Sequence, residues 1–279
     1  MRATKRTRID SPQNPTIKAL ARLKERRQRE VKGRFLIEGV RELTRALEGC
    51  IPLEQVLICP EFLSNQGRAL IPKLEQHTSV KSIETSAAAF KRVSTREHPD
   101  GVLATAKSWR TTLNALTLAR NSLLLILDGL EKPGNLGALL RTADATNVDA
   151  VFITGTGTDI FNPNVVRASM GSLFSRPVII TDTLELIDFL QANRVELIAT
   201  SPGADLPYWD ESYLGSTAIL LGTEHGGLTP AWLAAASRQV SIPMQGLADS
   251  LNVATSGALL LYEVLRQRRS AAKAGIIWS

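Results

Sequence analysis

The sequence predicts an α/β protein of two domains, the second built on a mainly parallel sheet with helices on both faces. Three observations carry this. Short apolar runs alternate with helix-period segments from about residue 35 onward, the pattern of repeated β and α units. In the second half those runs are near-continuous, as in LLLILD at 123–128 and TAILLG at 217–222, which suits strands buried on both faces. A length of 279 residues is enough for two cores of ordinary size.

The elements follow in order. Residues 1–12 lack apolar periodicity and are expected to form a flexible basic arm. From Asn14, the residues Ile17, Leu20, Ala21 and Leu23 recur near helical spacing, predicting one helix that ends at about Gly33. A strand at 35–39, a helix at 40–49 and a strand at 53–59 come next. A helix from Pro60 to about His77, a strand at 80–83, a helix at 85–92 and a strand at 102–107 complete a small α/β domain over 13–107. The short polar stretch SWRTTLNALTLARN at 108–121 is expected to be the linker. The second domain, 122–279, should hold strands at 123–128, 150–154, 177–180, 196–200, 217–222 and 239–243. Helices are expected at 136–147, 164–169, 184–193, 229–237 and 251–269.

Composition excludes several function classes. No apolar run approaches the roughly 20 residues of a membrane-spanning helix, so no membrane partner is expected. The basic N-terminus has no apolar core of a secretory leader; its acid-free first nine residues leave a mitochondrial presequence as the alternative to a cytoplasmic protein. Cys50 and Cys59 make neither a metal-ligand spacing nor a disulfide framework, and both are expected in the core. With His77, His98 and His225 the only histidines, no metal site is expected.

Charge is segregated. Residues 1–34 contain twelve Lys and Arg against Asp10, Glu25 and Glu30, a local net of +9 in a chain whose total is +6. Such a footprint suits a polyphosphate partner, and Arg22, Arg26, Arg27, Arg29 and Arg34 are the expected RNA contacts. A solvated helix face is the structural alternative.

Three segments place small or polar residues directly after strand-like runs, where backbone amides can approach a ligand. They are EKPGNLGALLRTADA at 131–145, LLGTEHGGL at 220–228 and SIPMQGLADSLNVATSGALLLYE at 241–263. Asn135 is well placed to cap a helix beginning near Leu136. Arg141 lies six residues on, free either to pair with Asp144 or Glu131 or to meet a ligand. In the second segment Pro230 suits the first turn of a helix, and Glu224 stands just before it. In the third, Ser250 could be an ordinary N-cap, or belong with Asn252, Ala254 and Thr255 to a crowded ligand site.

Together these segments resemble the three signature motifs of the SpoU-type RNA ribose 2′-O-methyltransferases of the SPOUT superfamily. Asn135, Gly137, Arg141 and Ala143 match the first motif, Gly222, Glu224 and Gly227 the second, and the IPM and SLN runs the third. The resemblance covers about residues 120–270, and FLIEGVREL after a basic helix looks like the small RNA-substrate-binding domain that precedes many such catalytic domains. It implies a C-terminal α/β domain with a trefoil knot, S-adenosylmethionine as methyl donor and a homodimer. It also implies catalytic roles for Arg141, Asn135, Glu224, Ser250 and Asn252. Cofactor contacts are implied at Gly222, Ile242, Met244 and Leu251, with Thr200 a weaker member. The implied substrate is large-subunit rRNA, with tRNA second. Two departures, the Lys132-Pro133 dipeptide before Gly-Asn in the first motif and Ala254 after Val253 in the third, touch none of these residues. A dinucleotide-binding enzyme would want a third glycine after GNLG. A non-catalytic RNA-binding protein on the same fold would lack the cofactor.

Overall fold

The structure, a computed structural model, describes residues 7–76, 80–222 and 227–275. By its internal contacts the chain forms two units. One comprises residues 1–109 and 159–175, the other 110–158 and 176–279.

The first unit begins with β1 (Thr7–Ile9), α1 (Pro15–Arg22), α2 (Arg26–Lys32), β2 (Arg34–Glu38) and α3 (Val40–Glu48). It continues with β3 (Leu53–Ile58), α4 (Asn65–Glu75), β4 (Lys81–Thr85), α5 (Ala87–Val93) and β5 (Val102–Lys107). Its sheet runs β1-β4-β3-β5-β2, parallel across β1, β4 and β3 and antiparallel at β5 and β2. Alternate strand residues face opposite sides: Leu36, Leu57 and Leu103 pack with Ile17 and Leu20 of α1 and Phe90 of α5. The next residue along, Phe35, stacks instead on Phe161 and Phe174, at centroid distances of 4.6 and 6.4 Å, and edge-on to Trp109 at 5.7 Å.

Two expectations fail here for tertiary reasons. Residues 7–9, expected within a flexible arm, form an edge strand, and Arg8 pairs with Glu84 at 2.8 Å. The single helix expected up to Gly33 is broken at Leu23–Glu25. The break is held by Arg29, whose Nη1 donates to the carbonyls of Leu23 (2.9 Å) and Lys24 (2.7 Å), while Nε pairs with Asp159 at 2.7 Å. Gly33 ends α2 in the left-handed conformation at φ 58°, as a C-terminal glycine should. Cys59 is buried, but Cys50, expected in the core, is exposed.

The second unit adds β6 (Leu123–Asp128), α6 (Pro133–Ala145) and β7 (Ala150–Thr154). After α7 (Pro163–Ala168), which belongs to the first unit, come β8 (Val178–Ile180), α8 (Thr183–Ala192), β9 (Glu196–Thr200) and β10 (Leu206–Pro207). β11 (Thr217–Leu221), α9 (Pro230–Ala235), β12 (Arg238–Ser241) and α10 (Val253–Lys273) close the described chain. All seven strands are parallel, in the order β10-β12-β9-β11-β6-β7-β8. Every residue of β6, β7 and β11 is buried, the signature of a doubly covered parallel sheet. The stretch expected as linker is partly core: Leu113 is buried against this sheet, with Leu116 and Leu118 packed beside it. Two-residue β10 is too short to leave a pattern. Residues 159–175, patterned like the second half of the chain, join the first unit.

Arg268 fixes α10 to the start of the sheet. It donates to the carbonyls of Tyr213 (3.0 Å), Asn121 (2.7 Å), Ser122 (3.3 Å) and Gly215 (2.7 Å), and its burial lowers its pKa. Near its other end α10 crosses α6 at Gly257. A Cβ there would overlap a methyl of Leu139 and come within 2.8 Å of Leu221, so only glycine allows this approach without a shift.

Candidate active site

Three strand ends open onto one cavity. Thr200 ends β9, Gly222 follows β11 and Ile242 follows β12, and all three line a cavity of about 410 Å³ with Met244, Ser250, Leu251 and Asn252. The carboxyl ends of parallel strands are where α/β sheets bind ligands. All five residues expected to touch a cofactor therefore meet here. Asp249, Leu228 and Ser256 also line it and were missed; Ser256, one helical turn past Asn252, was within reach of a periodicity argument. Thr255 turns away, into a shallow surface depression with Leu259 and Tyr262.

The cavity fits a ligand carrying hydrogen-bonding groups. Thr200 Oγ1 is buried and, among the described residues, has no hydrogen-bond partner, a state uncommon enough to want an explanation. Gly222 makes room: a Cβ would lie 2.8 Å from Leu228 Cδ2 and 3.1 Å from the Gly227 carbonyl oxygen.

The first and third motifs touch through two asparagines. Asn252 caps α10, its Oδ1 accepting from Ala254 N at 2.9 Å, while its Nδ2 donates to Asn135 Oδ1 at 3.2 Å. Two caps differ from expectation. Asn252, not Ser250, caps the last helix, and α6 starts at Pro133 with Lys132 as its cap. Proline prefers the first helical position, where its missing N–H costs nothing. Asn135 is thus inside the first turn, and its side chain is directed to Asn252 instead of to its own backbone.

The loop before α6 is pinned by the loop after β7. Thr154 Oγ1 donates to Asp128 Oδ1 at 2.8 Å, Gly129 N to the Thr154 carbonyl at 2.9 Å, and Thr158 N to the Leu130 carbonyl at 2.9 Å. The Thr158 hydroxyl also donates to the Glu131 carbonyl. Arg141 is exposed on α6; among the described residues it makes neither of the ion pairs open to it, and it does not line the cavity. Glu224 lies outside the described residues, as does His225.

Of the five arginines expected to meet RNA, Arg29 is buried at 3 % exposure and committed to Asp159. Arg26 pairs with Glu30 at 2.9 Å, and Arg34 with Glu54. All but Arg29 are exposed. Among the described residues no cluster could hold a metal ion, and no helix is long and apolar enough to cross a membrane.

Comparison with known proteins agrees with this geometry. Residues 122–262 match the SpoU rRNA Methylase family, and residues 14–104 match the MRM3-like substrate binding domain. The chain is 31% identical to the 23S rRNA (uridine(2479)-2′-O)-methyltransferase of Streptomyces viridochromogenes, over 90% of this chain and 88% of that protein. It is also 31% identical to the 23S rRNA (guanosine(2553)-2′-O)-methyltransferase RlmP of Bacillus subtilis, over 92% and 98%. The crystal structure of the SpoU methyltransferase AviRb from Streptomyces viridochromogenes with the cofactor AdoMet superposes with a TM-score of 0.84 at 29% identity. That match covers 92% of this chain and 99% of AviRb. A strand-end cavity lined by the second and third motifs and joined to the first through Asn252 and Asn135, a matched substrate-binding domain and relatives aligned along nearly their whole length lead to one conclusion: the chain belongs to the SpoU rRNA methylase family and is an RNA 2′-O-ribose methyltransferase.

Proposed function

We propose that this methyltransferase uses S-adenosylmethionine to methylate a ribose 2′-OH of large-subunit rRNA in the cytoplasm. The observation that carries it is the meeting of Thr200, Gly222, Ile242, Met244 and Leu251 around one cavity, where the Thr200 hydroxyl has no partner among the described residues. Two 31%-identical relatives named for 23S rRNA act on different nucleotides, a uridine and a guanosine. The class of RNA is thus the property this chain shares with them, and the target base is its own.

When bound, S-adenosylmethionine supplies an electrophilic methyl group on a sulfonium. The chain's residues do the rest. Main-chain groups around Gly222, Ile242 and Leu251 hold the cofactor, and Thr200 gains a partner for its hydroxyl. The linked Asn135 and Asn252 orient the ribose, with Ser250 lining the same cavity. Arg141 binds a phosphate and stabilises negative charge growing on the ribose oxygen, and the hydroxyl proton leaves late, to water. A guanidinium keeps its proton to about pH 12 or above, which makes it a poor proton acceptor. Alignment of oxygen with methyl carbon supplies much of the rate.

Gly222→Val should weaken S-adenosylmethionine binding by roughly 5–150-fold, the range set by overpacking costs of about 1–3 kcal/mol. Calorimetry on the full chain would read this. Absence of cofactor heat in wild-type protein would remove the proposal, and methylation mapped to tRNA would move its substrate.

The active form is a homodimer with both sites near the interface. On α10, Tyr262 and Leu259 are 52% and 37% exposed, and Trp209 is 48% exposed; the two α10 residues border one depression. Large apolar groups grouped on a helix suit a twofold contact. Sedimentation should give twice the monomer mass at micromolar protein. A fully active monomer there would contradict it.

A further inference from the structure

In the first unit, α3 and α4 pack side by side, and a groove of about 740 Å³ lies along them. Its floor is a network centred on Arg96, in which Arg96 Nε and Asp100 Oδ1 have no hydrogen-bond partner among the described residues. Arg96 reaches Glu42 at 2.9 Å, Asp100 at 3.7 Å and the Glu38 carbonyl at 2.7 Å, and Asp100 also accepts from Val40 N at 2.9 Å. On the rim, Arg45 and Glu48 neutralise each other at 2.8 Å. Arg41 on α3 and Lys73 on α4 also line the groove, are exposed, and among the described residues have no ion-pair partner. Each carboxylate in the groove has an arginine partner, Glu42 and Asp100 sharing Arg96, so with Arg41 and Lys73 on facing helices the lining carries a net charge of +1. A concave, net-positive site with two cations free of ion pairs suits a backbone phosphate.

The geometry points to this groove as the surface on which the first unit holds the phosphate backbone of its RNA substrate, with Arg41 and Lys73 as the contacting cations. The inference rests on the RNA methyltransferase reading above. It moves the expected contact to the other side of the sheet. α1 packs on the face bearing Leu36, whereas α3 lies on the opposite face, with Phe35 and Phe174. Of the five expected contacts, Arg29 is buried in an ion pair.

The test is equilibrium binding of an in-vitro large-subunit rRNA transcript to full-length protein across a salt series. Arg41→Gln with Lys73→Gln should weaken binding at least ~10-fold at low salt and reduce the slope of log affinity against log salt by about two. Lys81→Gln, an exposed lysine at the start of β4, should change the slope no more than the loss of general charge. S-adenosylmethionine affinity, read separately, should be untouched in each variant, so a failure of the cofactor reading is distinguishable from a failure of the groove. The inference is overturned if the double variant keeps the wild-type slope. It is overturned equally if Arg22→Gln with Arg27→Gln causes the loss instead, or if millimolar AMP displaces the transcript, which would make the groove a free-nucleotide site.

Discussion

Arg141→Ala should lower kcat for RNA methylation by about 100- to 1,000-fold, the usual loss when one preorganised charge-stabilising donor is removed, while leaving S-adenosylmethionine affinity at the wild-type level. The second half of this expectation comes from geometry, since Arg141 does not line the cavity proposed to hold the cofactor. Arg141→Lys separates two roles. Lysine keeps the charge and loses the bidentate fork, so a residue that grips phosphate should retain activity between those of Ala and Arg. A proton acceptor would behave differently. Lysine holds its proton less tightly than arginine, so its variant would recover activity as pH rises, with a displaced pH–rate profile. Single-turnover methylation across pH measures both variants. Wild-type kcat in Arg141→Ala would take the residue out of the reaction.

Asp159→Ala is expected to destabilise the protein by about 3–5 kcal/mol, the cost of leaving one member of a buried ion pair uncompensated. The partner, Arg29, is 3 % exposed and, among the described residues, is otherwise bonded only to two backbone carbonyls. Replacing both residues, Arg29→Met with Asp159→Leu, should recover part of the loss, because an apolar pair has no charge to strand. Recovery will be incomplete: Arg29 also caps the carbonyls freed where α1 gives way to α2. Thermal unfolding of the three proteins gives the comparison. A single variant within about 0.5 kcal/mol of wild type, the range of an ordinary surface change, would mean that the pair holds nothing together.

Much of the second unit was legible in the sequence because its strands are buried on both faces. The runs at 123–128, 150–154 and 196–200 match β6, β7 and β9 to the residue, and the strand ends then locate the cavity. Part of the cavity's lining was legible for the same reason, since Thr200 ends a buried strand and Gly222 and Ile242 directly follow one. What the sequence hid were long-range partners. Nothing local marks Arg29 as buried, because its partner is 130 residues away. The break between α1 and α2 is hidden likewise, as the side chain that stabilises it lies beyond it. Asn135 was misread as a cap because Pro133 competes for the helix start, and propensity alone does not say which signal wins. The short edge strands β1 and β10 carry too few residues for alternation to register.

The first unit is discontinuous in sequence, and that orders events in time. Its Phe35 and Trp109 are covered by Phe161 and Phe174, and Arg29 is neutralised by Asp159, so residues 1–109 emerge from the ribosome with a bare aromatic ring and a stranded cation. At about 5–20 residues per second, the 66 residues from Trp109 to Ser175 take roughly 3–13 s to synthesise. For that interval the half built first waits on the half built second, whose β6, α6 and β7 are already made. The protein is therefore not a cassette of two exchangeable parts. A graft or truncation cut at residue 109 would export the same unfinished surface permanently, and domain-swapping experiments in this family member need to carry residues 159–175 with the N-terminal part.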